Sequence, residues 1–138
     1  MMLISSAQAR TTELLVIPRA SAKEAQPLRQ IATWLSQFTP MNCLEAAGTS
    51  LEVSASPRLF GGIGSLANRV RTGIGALQFH ATLGIAPTPL AACLFAEASY
   101  HASSVRVCRD ATQIKERLAD VSLALFAWPY EILQPFNA

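Results

Sequence analysis

The chain has 138 residues, enough for one domain with a single buried core. It is 51% hydrophobic and only 14% charged, with mean hydropathy +0.29, which excludes a disordered or fibrous chain and suggests that some surface expects company. A net charge of +2 is too mild to argue for nucleic acid by itself, although arginine outnumbers lysine heavily.

In chain order, residues 5–12 read as a short polar helix or helix end. Residues 13–17 form an apolar extended segment stopped by Pro18. Leu28, Ile31, Leu35 and Phe38 recur at helical spacing with Trp34 alongside, so a helix is expected over 21–38. Pro27 is tolerated there if the helix begins near it, and Thr39-Pro40 ends it. Residues 42–55 read as a β-hairpin with a turn at Ala47-Gly48-Thr49, because Leu51, Val53 and Ala55 alternate with Glu52 and Ser54.

After the break at Gly61-Gly62, Ile63, Leu66, Val70, Ile74 and Leu77 predict a second long helix. Gly73 and Gly75 weaken its end by roughly 1 kcal/mol each relative to alanine. Phe79, Ala81, Leu83 and Ile85 alternate as a strand that Pro87 and Pro89 halt. A small-residue helix follows to about residue 101, then a short strand at 104–108. Asp110 is the expected N-cap of a helix carrying Ile114 and Leu118, and the tail from Trp128 reads as a short helix cut off abruptly. Helices interleaved with strands imply an α/β class, one mixed β-sheet with helices packed on it. Elements that stop at both ends suggest a piece of something larger.

The chemistry-bearing residues are few. Cys43, Cys93 and Cys108 lack C-x-x-C spacing and sit among apolar neighbours, so they read as reduced, buried thiols rather than a metal knuckle or disulfide framework. The start carries no signal-peptide pattern and no run approaches the ~20 apolar residues that span a bilayer, so a cytoplasmic protein without a membrane partner is expected. His80 and His101 have no nucleophile motif beside them. The only aspartates, Asp110 and Asp120, are ten apart at expected helix ends, whereas two-metal phosphoryl transfer needs carboxylates converging from neighbouring strands. Glu45 and Glu52 are the sheet's only acidic candidates, and Glu52 alternates to the solvent side. Gly61-Gly62-Ile63-Gly64 matches no phosphate-loop pattern and reads as a tight reversal into a helix. Arg58, Arg69 and Arg71 are the candidate contacts to DNA phosphates, against the alternative of a solvated face. No catalytic residue, cofactor or metal ligand is expected.

Five segments in collinear order carry a resemblance. Residues 50–62 include Leu51-Glu52-Val53-Ser54 and Leu59-Phe60-Gly61-Gly62, and residues 83–92 read L-G-I-A-P-T-P-L-A-A. Upstream stand Ala7-Gln8-Ala9-Arg10 and W-L-S-Q-F-T-P at 34–40; downstream stand Val105-Arg106-Val107 and Leu118-Ala119-Asp120-Val121. Together they resemble the Y-family (translesion) DNA polymerases in their inactive ImuB-type branch, over nearly the whole chain. The resemblance implies a truncated palm-like α/β (α+β) core at 13–118, a remnant of the fingers at 1–12 and the start of a thumb at 119–138.

Active members of that family carry S-I-D-E-A just before the strand that here contains Leu51-Glu52-Val53, and those positions fall near Ala46, Ala47 and Gly48. Their N-K-x-L-A-K segment becomes Thr88-Pro89-Leu90-Ala91-Ala92-Cys93, with neither lysine retained. Since phosphoryl transfer rests on positioning and electrostatics, the resemblance implies a non-enzyme. It implies an adaptor in a DNA-repair complex of the SOS response, joining an active polymerase, a sliding clamp and a RecA-like protein, with DNA contact weak or indirect. The alternatives are a non-functional fragment of such a protein, a small cytosolic α/β enzyme using Glu45 or Glu52 with His80, and an interaction module unrelated to DNA.

Overall fold

A computed structural model describes residues 4–11, 13–45, 48–100, 105–122 and 125. Its elements are α1 (Ile4–Gln8), α2 (Ser21–Leu35), β1 (Asn42–Leu44), β2 (Thr49–Leu51), α3 (Ile63–Ala76), β3 (Gly84–Ile85), α4 (Pro89–Ala98), β4 (Arg106–Val107) and α5 (Ile114–Leu118). Short 3₁₀ turns at Pro57–Leu59 and Ala111–Gln113 lead towards α3 and α5. The class is α/β in the general sense: helices with two small sheets. Among the described residues no helix is long and apolar enough to cross a membrane.

The single sheet expected from the sequence is replaced by two separate two-stranded ladders. β1 and β2 pair antiparallel, Cys43 facing Ser50, and β3 and β4 pair parallel, Gly84 facing Arg106. Parallel neighbours need a crossover, and α4 supplies it. Alternation of apolar side chains reports burial on one face; it does not create a hydrogen-bonding neighbour. Residues 79–83 therefore cross the structure outside any ladder, their Ala81 and Leu83 packed against the first core. Residues 13–17 likewise form no strand, and Leu15 and Ile17 stand 80% and 77% exposed.

Two apolar clusters take the place of one core. The first joins α2 to α3 through Leu35, Phe38, Leu66, Val70 and Ile74, with Leu51, Val53 and Phe60 packed against it. Trp34, Phe38 and Phe60 meet edge-on in series, their ring centroids 5.3 Å and 5.2 Å apart. The second cluster gathers Leu94, Phe95, Cys108 and Val121, with Ile114 and Leu118 of α5 against it. Phe95, 1% exposed, is its centre.

The helix ends follow their sequence signals. Thr88 caps α4 by accepting the Ala91 N–H at 3.3 Å, and Pro89 takes the first helical position, where its missing N–H leaves no internal bond unmade. Asp110 accepts the Thr112 N–H at 2.9 Å, as its N-cap reading requires. Gly61 and Gly62 both take positive φ, 78° and 103°, and turn the chain sharply into α3, which is why two glycines stand there. α2 begins at Ser21 as expected and ends at Leu35, three residues short of Phe38; Pro27 therefore lies inside the helix and removes one backbone bond. The expected tail helix from Trp128 and His101 fall outside the described residues.

The C-terminus of α3 separates two glycines that look alike in sequence, and a glutamine beyond them takes a glycine's conformation. A Cβ on Gly73 would lie 2.1 Å from the Trp34 ring, whereas one on Gly75 would meet open space. Gln78 takes φ 65° while its N–H and that of Phe79 close onto the Gly75 and Ile74 carbonyls at 3.0 Å and 3.1 Å, a Schellman end that favours glycine. In urea unfolding, Gly75→Ala and Gln78→Gly are expected to stabilise by up to about 1 kcal/mol each. Gly73→Ala destabilises instead, by roughly 1–3 kcal/mol from overpacking. Phe95→Ala costs about 3–5 kcal/mol, while Leu15→Ser stays within about 0.5 kcal/mol.

Candidate functional site

The hairpin β1–β2 and helix α4 bring together the only cluster of reactive side chains that draws on distant parts of the described chain. The hairpin closes through the Glu45 N–H to the Gly48 carbonyl, at 2.9 Å. Ser50 donates to Glu45 Oε1, as its position across the turn permits. From α4, the Cys93 thiol donates to Glu45 Oε2 at 3.7 Å and lies 3.9 Å from Ser50 Oγ. Partial burial raises the Cys93 thiol above its ordinary range, with Glu45 and Glu97 adding to the effect against the Ser50 hydrogen bond. The thiol therefore rests protonated near neutral pH, with the Glu45 carboxylate placed to take its proton.

α4 is held over this hairpin by its fit to β3. A Cβ on Gly84 would lie 2.2 Å from the Ala92 carbonyl oxygen and 2.4 Å from the Ala96 nitrogen. Backbone thus approaches backbone, and only glycine permits the contact. The Thr88 cap and Pro89 set where the helix starts, which in turn sets where Cys93 falls, one turn in.

The other acids are engaged singly. Glu52 is exposed and accepts the Ser54 N–H at 2.9 Å, and hydrogen bonds from Ser54 lower its pKa. Asp120 accepts from Arg106 at 2.8 Å, and that bond lowers its pKa. Asp110 is lowered by its bond from the Thr112 backbone. Among the described residues no three His, Cys, Asp or Glu side chains converge as metal ligands. His80 is exposed, and no hydrogen bond or ion pair among the described residues joins it to Glu45 or Glu52.

The three arginines named for phosphate contact are all exposed but not gathered. Arg69 lies over the Phe60 ring, 5.7 Å from its centroid. Arg71 is two residues further along α3, so it projects from nearly the opposite side of the helix, and Arg58 sits on the preceding 3₁₀ turn. Two clefts open among the described residues. One of about 490 Å³ is bordered by Arg106, Glu116, Arg117 and Asp120, charges of both signs. The other, of about 620 Å³, is lined mainly by Ile17, Leu28, Ile31 and Phe79, with Arg19, Lys23 and Glu24 also on its wall.

The cysteines do not share one fate, against the expectation that all are buried: Cys108 is buried, Cys93 partly so, and Cys43 is exposed. The hairpin packs on the first core through Leu51, so the Cys43 position on its other face is left open although Met41 and Leu44 nearby are apolar. Sequence reasoning singled out Glu45 but missed Ser50 and Cys93. Ser50 was findable from the hairpin register; Cys93, 48 residues from Glu45, carried no local signal. No known family, curated protein or solved structure matches the chain.

Two outcomes follow from the site. Glu52, Asp110 and Asp120 all have folded pKa values below their ordinary ones, so they bind fewer protons folded than unfolded. Their stabilisation is complete above the ordinary carboxylate range and is lost as pH falls below about 4, so acid titration of Tm should show a decline there. In alkylation of the native chain, Cys43 should react first, Cys93 more slowly and Cys108 last.

Proposed function

We propose that this chain is a non-catalytic, Y-family-polymerase-like protein that works by contact, as an adaptor in a translesion DNA-repair complex. The reading is supported by the collinear resemblance and, above all, by the carboxylate chemistry at the hairpin. Where the resemblance places two magnesium-binding acids, the chain has Ala46, Ala47 and Gly48. The nearest carboxylate, Glu45, has both oxygens engaged, by Ser50 and by the Cys93 thiol. A carboxylate so used serves as a tether between hairpin and helix.

The second segment tells in the same direction. Positions that carry asparagine and lysine in active members hold Thr88 and Pro89, and here they start a helix. The lysine nearest the end of that segment is replaced by Cys93, a protonated thiol. The cationic groups that would neutralise a triphosphate are thereby exchanged for helix geometry and packing. Exposed apolar side chains at Leu15 and Ile17 suit a protein whose work is binding. The mixed helix-and-strand class is compatible with a palm-like core at the coarse level.

An enzyme built on Glu45 or Glu52 with His80 is disfavoured, because the acids are engaged elsewhere and no contact links them to the histidine. The adaptor reading is tested by incubating the chain with primer–template DNA, magnesium and all four deoxynucleotides. No incorporation is expected, and DNA binding should be weak, with a log–log salt slope of magnitude below about 2. Binding is then measured against an active Y-family polymerase, the sliding clamp and the RecA-like protein of the same cell. A complex with the polymerase is expected; failure to bind any of the three rejects the adaptor, and incorporation of nucleotide rejects the inactive assignment.

A further inference from the structure

We propose that Cys43 and Cys93 are a redox pair: a peroxide oxidant joins them in a disulfide that clamps the hairpin onto α4. This chemistry is independent of the adaptor reading.

The geometry comes from the ladder. Cys43 stands directly opposite Ser50, and opposed residues of an antiparallel pair project to the same face with Cβ atoms about 4.5–5.5 Å apart. Glu45, two residues along from Cys43, shares that face. Both of these neighbours reach the Cys93 thiol, Ser50 at 3.9 Å and Glu45 at 3.7 Å. The face that carries Cys43 is therefore the face turned to Cys93. The Cys43 sulfur makes only a long contact with the Leu44 carbonyl, at 3.9 Å, so little holds its rotamer. A disulfide needs Cβ atoms about 3.5–4.5 Å apart, so the pair requires a slide of the hairpin over α4 to close that separation and χ1 rotation at both cysteines to turn the sulfurs together.

The two thiols have different parts. Cys43 is exposed, so its thiolate meets the oxidant first. The sulfur attacks one peroxide oxygen, the O–O bond breaks, and the departing hydroxide takes a proton and leaves as water, giving a sulfenic acid on Cys43. The Cys93 sulfur then attacks the sulfenic sulfur, passing its proton to the Glu45 carboxylate that already accepts it. The S–O bond breaks and the hydroxide leaves as a second water, taking up that proton. Two thiols and one peroxide become one disulfide and two waters. Cys108, 2% exposed with its thiol donating to the Asp110 carbonyl at 3.2 Å, is too sheltered to take part.

The test titrates the dilute full chain with hydrogen peroxide, quenches by alkylation and maps peptides without reduction. The expected product links the Cys43 and Cys93 peptides within one chain, leaves Cys108 free, reverses with dithiothreitol, and raises Tm by about 5–10 °C. Cys43→Ser and Cys93→Ser should each abolish the link and the shift, while Cys108→Ser keeps both. Cys43 is exposed, so its variant retains the fold, verified by circular dichroism. Sulfinic Cys43 beside reduced Cys93, chains cross-linked through Cys43, a bridge that includes Cys108, or no reaction would each overturn the pair.

Discussion

The closest constraint in this structure is the approach of α4 to β3 at Gly84. Any Cβ there would collide with the backbone of Ala92 and Ala96 and with the Phe95 side chain. Because the helix lies flat on the strand, Phe95 is driven into the second cluster and becomes the most buried large side chain described. The same seat aims Cys93 at the hairpin, so a backbone contact at one residue fixes the meeting of Glu45, Ser50 and Cys93. Gly73 plays the matching part in the first cluster, leaving room for the Trp34 ring. A glycine on each side thus sets how closely the elements come together, and the aromatic rings fill what remains.

In its reduced form the hairpin cluster holds β1–β2 to α4. A carboxylate with hydrogen bonds to a hydroxyl and a thiol has its charge answered locally, and the partly buried thiol is kept in its neutral form. That economy of charge runs through the chain, where Asp110 serves a helix start, Asp120 an arginine and Glu52 a turn. In the proposed adaptor, the tethered hairpin is a scaffold feature, and its exposed cysteine adds a means of tightening that tether.

Local signals in the sequence translated well wherever one residue acts on its immediate backbone. Thr88 with Pro89, Asp110, and the Gly61-Gly62 reversal all do what their types and positions imply, since capping and positive φ are decided within a few residues. The helical spacing of Leu66, Val70 and Ile74 marked the buried face of α3 for the same reason. Strands were legible only in part. The hairpin at 42–51 formed because its two halves are close in sequence, whereas 13–17 and 79–83 had the right alternation and found no neighbouring edge. At Pro27 the helix runs on as its periodicity implies: the remaining turns and the apolar face of α2 carry it through.

The sequence by itself determined the mixed α/β class, the positions of the main helices and their caps, the antiparallel hairpin, and the scarcity of acids. These are properties of residue type and short spacing. Tertiary structure alone decided that the apolar residues divide into two clusters, that the ladders remain separate, and that Cys93 meets Glu45. Each of those depends on which backbones can approach one another. Steric fit at Gly73 and Gly84 sets that approach across long stretches of chain, where periodicity carries no information about distance.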